Sequence, residues 1–66
     1  MPDERMLKWF QYDHLPPHLQ EVSMPFAALA TTLCGGIEPG PERTVFLRKL
    51  LEAKDAAVRA KLHPGG

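Results

Sequence analysis

From Glu42 to His63 the chain contains neither glycine nor proline, and helix punctuation stands on both sides: Gly40-Pro41 before it, Pro64-Gly65-Gly66 after it. Gly40 can cap a helix with Pro41 at its first position and Glu42 in its first turn, so a helix is predicted over 41–62. Its apolar residues do not fall on one line. Phe46, Leu50, Ala53, Ala57 and Ala60 form one stripe, and Leu47, Leu51 and Val58 form a second, about 100° further round. A single shorter helix cannot cover both. The alanine-rich end admits a close neighbour, so the pattern predicts an all-α helical hairpin whose long helix also packs against a second copy of the chain. The i, i+4 pairs Arg48 with Glu52 and Asp55 with Arg59 are expected on its exposed edge, each worth about 0.3–0.5 kcal/mol.

The partner helix is predicted over 18–34, where Val22, Phe26, Leu29 and Leu33 share a stripe. Pro25 lies inside it and is expected to bend or restart the helix near 23–25. Cys34-Gly35-Gly36 closes it, with a glycine available for a left-handed cap. Residues 1–17 read as an extended arm. Trp9, Phe10 and Tyr12 crowd into four positions, and Pro16-Pro17 stops any helix by removing amide donors and pushing Leu15 out of the helical region. Rings of this size are expected to lie across a neighbouring element or subunit.

With 66 residues, the chain allows one small domain, 1–66, and such a domain buries only about 60% of the surface its unfolded form exposes. Stabilisation by a staple or a partner is therefore expected. Cys34 is the one cysteine and cannot form an internal disulfide. The three histidines form none of the usual zinc spacings: His14 and His18 are four apart, but Pro16 and Pro17 prevent the helix that would align them. No metal and no cofactor are predicted, and self-association remains. The formal net charge is zero, which argues against coating a DNA or RNA polymer or an anionic membrane. The charge is nevertheless polarised. Residues 1–40 carry two basic and five acidic side chains, and residues 41–66 carry six basic and three acidic ones. Such a chain can pair head to tail with a copy of itself or offer a local basic pocket to a small anion. The charged first residues and the shortness of the apolar run Met24–Ala30 predict neither a leader nor a membrane span, and a reducing cytoplasm.

Catalytic chemistry is not expected. Cys34 falls at a helix end on an apolar stripe and reads as a structural thiol, and Gly35-Gly36 and Gly40 lack the strand and lysine of a phosphate loop. Two features stand out. Arg43 and Thr44 fall in the opening turn of the long helix, where unpaired amides and the positive dipole end favour an anion; the alternative is a solvated arginine and an ordinary helix threonine. Trp9, Phe10, Tyr12 and His14 supply flat rings beside Lys8, suited to stacking on nucleobases or to clamping a subunit. Rings for bases and a helix N-terminus for phosphates point together to a nucleotide.

The segment Trp9-Phe10-Gln11-Tyr12-Asp13-His14-Leu15-Pro16-Pro17, followed by an alanine-rich helix and then Pro41-Glu42-Arg43-Thr44-Val45-Phe46-Leu47-Arg48-Lys49-Leu50-Leu51-Glu52-Ala53, resembles the small phage proteins of the anti-CBASS cyclic-nucleotide sponge family, of the anti-CBASS protein 2 kind. The resemblance spans roughly residues 9–60. It implies a compact helical chain that assembles as an interlocked dimer and then a hexamer in the cytoplasm of an infected bacterium. It also implies a non-enzymatic phage protein that binds cyclic di- and trinucleotide messengers without cleaving them and so blocks CBASS immunity. Carried over by position, Tyr12 would stack on a base, Arg43 and Thr44 would take phosphate or base edges, and Trp9 and His14 would accompany them. The chain departs from the family at Lys54-Asp55-Ala56-Ala57-Val58-Arg59, where many relatives read Trp-Ala-Asn-Ala-Ala-Ile-like, and it lacks a lysine near the start of the first helix. Lys8, Arg48 or Lys49 could replace that charge. The rival reading is a helical oligomeric protein-interaction module docking through its aromatic arm; sequence-specific DNA binding fits least.

Overall fold

A computed structural model describes residues 5–65. Among them the elements are helical: a 3-10 helix over Arg5–Phe10, α1 over Pro17–Gly36 and α2 over Pro41–Leu62. The hairpin expected from the sequence is present, and α2 has the predicted bounds. Glu42 in its first turn and Arg59 and Lys61 in its last complement the helix dipole. No helix among the described residues is long and apolar enough to cross a membrane.

Several expectations about the first half of the chain need correction. The stretch read as an extended arm is instead a 3-10 helix and a turn closed by Leu15 N–H donating to the Tyr12 carbonyl at 3.0 Å. With three residues per turn, Leu7 and Phe10 share one side of the 3-10 helix, and both pack into the core. The residues 1–4 of the expected arm lie outside the described residues. Helix α1 passes through Pro25 without restarting. Pro25 removes one amide donor, but both it and Glu21, whose carbonyl loses its partner, face solvent, where water can take the bond.

The entry to α1 is built by Pro17 at its first position and by Gln20, whose Nε2 donates back to the Leu15 carbonyl at 2.8 Å. Its exit is not the expected left-handed glycine. Both Gly35 and Gly36 are helical, and Ile37 caps the end in an extended conformation, φ −120° and ψ 128°. The carbonyls at this end are taken by Arg43 of α2, whose Nη1 donates to Cys34 O at 3.1 Å and to Ile37 O at 3.0 Å.

Phe10, Ala30, Cys34 and Leu47 form the buried centre, with Met6, Leu7, Phe26, Ala27, Phe46, Leu50 and Leu51 packed around it. Small residues on α1, Ala27, Ala30 and Cys34, bring it close to α2, and Leu47 fills the gap. Both predicted stripes of α2 thus contribute at their N-terminal ends, while Ala53 and Ala60 are exposed. Of the expected surface pairs, Asp55 is bonded to Lys54 at 3.2 Å rather than to Arg59.

Two stability predictions follow from this packing. Arg43→Met should lower the unfolding free energy by about 2–4 kcal/mol, because two carbonyls lose a charged donor in a buried place; Arg48→Met, on the exposed face, should change it by less than about 0.5 kcal/mol. A Cβ at Gly35 meets nothing within 4 Å, so Gly35→Ala should stabilise by about 0.5–1 kcal/mol. Urea denaturation followed by circular dichroism measures both, and a neutral Arg43→Met would remove the clasp from the account of the fold.

Candidate functional site

The 3-10 helix and the turn after it lie against the C-terminal half of α2, and between them opens a cleft of about 480 Å3. Its walls are Lys8, Trp9, Gln11 and His14 on one side and Lys54, Asp55 and Arg59 on the other, with Leu15 and Val58 as apolar lining. Local structure explains why these side chains meet. Phe10 points into the core, so its neighbour Trp9 is turned outward and is 57% exposed. The Lys8 ammonium sits over the Trp9 ring, 5.1 Å from its centroid, a cation–π contact worth about 0.5–1 kcal/mol at an exposed site. On α2, Lys54 and Val58 continue the line of Leu47 and Leu51 at i, i+4, i+7 and i+11, and this line turns towards the 3-10 helix.

Lys54 is unusual for a lysine. Its side chain is 13% exposed and its Nζ lies 3.2 Å from Asp55 Oδ1. The aliphatic stem covers apolar surface while the ammonium reaches the cleft rim, where a carboxylate holds it. Asp55 is half exposed, so the pair contributes at most about 1 kcal/mol to stability. Its effect is to fix where the charge stands.

The residues anticipated from the sequence are distributed over three places. Trp9 and His14 line the cleft together. Tyr12 is half-buried and lines a separate shallow groove with Met24, Ala27, Ala28, Thr31 and Thr32. Arg43 and Thr44 are directed into the chain itself. Arg43 is 6% exposed and holds the end of α1, and Thr44 Oγ1 donates to the Gly40 carbonyl at 3.3 Å, the same carbonyl that accepts its amide at 3.2 Å. The structure therefore does not bring Arg43 and Thr44 to the rings of Trp9 and His14. The cations it does bring there are Lys8, Lys54 and Arg59, of which the last two escaped the reading of the sequence as binding groups. One signal was present: Lys54 stands where the Leu47–Leu51–Val58 stripe calls for an apolar residue.

Rings at the mouth, cations on both walls and an apolar lining suit an anionic aromatic ligand. Among the described residues no group of three or more His, Cys, Asp or Glu is placed to hold a metal ion. Comparison with family models, characterised proteins and solved structures finds no match to the chain.

The field of the cleft can be read from Trp9, the sole tryptophan. Iodide should quench its fluorescence more efficiently than caesium at low ionic strength, because the surrounding cations concentrate the anion. The difference should shrink in 1 M salt, where the Debye length is about 3 Å. Equal quenching by the two ions at low salt would show that the cleft is not cationic.

Proposed function

We propose that the protein is a non-catalytic binder of cyclic di- and trinucleotides. It acts as a phage anti-defence protein that sequesters these messengers intact in the cytoplasm of an infected bacterium and so blocks CBASS immunity, working as a homo-oligomer. The observation that carries the reading is the cleft, in which Trp9 and His14 stand among Lys8, Lys54 and Arg59. A nucleobase needs a flat apolar face, and a phosphodiester needs cations close by; the cleft supplies both within one ligand's reach. The resemblance of residues 9–60 to the sponge family supplies the cyclic character of the ligand. Self-association is supported by Leu29 and Leu33 on α1 and Ile37 just past its end, exposed together with Met24 and Val45, because apolar patches of this kind mark surfaces that pack against another chain.

The same patch favours a second reading, a helical module that docks on another protein through these residues and Trp9. Trp9→Ala and Leu33→Glu separate the two: a sponge loses nucleotide affinity with the first substitution, and a docking module loses its protein partner with either. Arg43 does not discriminate, since its side chain is committed to the hairpin.

Calorimetric titration with a panel of cyclic di- and trinucleotides, followed by chromatography of the recovered ligand, tests the proposal. Binding with unaltered ligand is expected. Absence of heat with every member of the panel, or recovery of a cleaved ligand, would overturn it.

A further inference from the structure

We infer that the cleft prefers a ligand with two phosphodiester charges over one with three, a cyclic dinucleotide over a cyclic trinucleotide, and that Lys54 and Arg59 take its phosphates. The inference rests on the nucleotide-binding reading above and narrows it. It starts from the charge in the cleft. Lys8, Lys54 and Arg59 stand against the single carboxylate of Asp55, so three cations less one anion give a formal charge of +2. Each phosphodiester carries one negative charge. Two of them neutralise the cleft. A third would remain uncompensated beside Leu15 and Val58, where the apolar lining strengthens every charge interaction and raises the cost of an unmatched one.

The roles of the cations differ. Lys8 lies on the Trp9 ring, which commits it to the stacking end of the cleft. Lys54 has its stem covered and its ammonium fixed by Asp55 at 3.2 Å, so it gives up less side-chain freedom on meeting a phosphate than a solvated lysine does. Arg59 stands one turn beyond Asp55 on α2, is exposed, and can present its planar fork to a phosphate. Asp55 is a positioning residue: it orients Lys54 and, through its own charge, keeps the cleft from favouring a trianion. This assignment falls on the part of α2 where the chain departs from the family it resembles.

The test uses the emission of Trp9, which reports stacking in the cleft directly, with calorimetry alongside. The full chain and its Lys54→Met, Arg59→Met and Asp55→Asn variants are titrated with a cyclic dinucleotide and with a cyclic trinucleotide, and thermal unfolding checks that each variant folds. The unsubstituted protein should bind the dinucleotide about tenfold tighter. Lys54→Met and Arg59→Met should each weaken dinucleotide binding about tenfold, the loss of one charged hydrogen bond. Asp55→Asn, which leaves three cations unopposed, should narrow or reverse the preference. Arg59 is exposed, so its replacement keeps the core intact even where Lys54→Met does not fold. Equal or tighter binding of the trinucleotide, an unchanged affinity in Arg59→Met, or binding heat with no change in Trp9 emission overturns this inference and leaves the nucleotide-binding reading standing. No binding of either ligand overturns both.

Discussion

The guanidinium of Arg43 reaches from the first turn of α2 to the last turn of α1, and the remaining architecture is arranged around that reach. A helix ends with carbonyls that have no partner within it and with a negative partial charge on them. Helix α1 has no basic residue in its own last turn, and its terminal glycines adopt helical rather than left-handed angles. Arg43 supplies from the other helix both the donors and the positive charge, bonding Cys34 O and Ile37 O at once. A cation this buried is stable only while such partners surround it. Hence the clasp and the helix–helix packing depend on each other.

Fixing that corner sets the rest. The short connection from Ile37 to Gly40 makes the helices antiparallel neighbours. Cys34 and Ala30 then face Leu47, and the seam between the helices is left open towards the N-terminal segment. Phe10 closes it. Because a 3-10 helix advances three residues per turn, burying Leu7 and Phe10 carries Lys8 and Trp9 to the outside, beside Lys54, Val58 and Arg59 of α2. The cleft is thus a by-product of core closure, and its residues come from two segments that the hairpin alone would not have brought together.

Helix α2 was legible because its signals are local: Gly40-Pro41 at one end, His63-Pro64 at the other, and no breaker between them. Helix α1 was legible in place and at its start, but not at its exit. Gly35-Gly36 resembles a cap by composition, and only the tertiary arrival of Arg43 makes a left-handed turn unnecessary there. The aromatic segment was misjudged for a related reason. Trp9, Phe10 and Tyr12 are equivalent on paper, yet the structure buries Phe10, exposes Trp9 and sends Tyr12 to another groove, distinctions that depend on the seam they meet. Arg43 and Thr44 read as anion-binding residues in the sequence, whereas in the structure their donors serve carbonyls of the same chain. Position in a first helical turn does not reveal whether an anion or a neighbouring helix end will take the side chain.

Two polar residues interrupt otherwise apolar faces, and the contrast between them shows how a departure from pattern separates packing from binding. Ser23 lies fully buried on α1, and its hydroxyl has no hydrogen-bond partner among the described residues. It is small, uncharged and sealed from solvent, so its effect is confined to letting elements approach at some cost in desolvation. Lys54 interrupts α2 differently. Its stem continues the apolar line while its charge emerges at the one place where Trp9, Lys8 and Arg59 also converge. An apolar residue there would extend the stripe, and the lysine gives up that burial to place a charge at the rim of a cleft. In a chain with zero formal net charge, such placement makes the positive potential local.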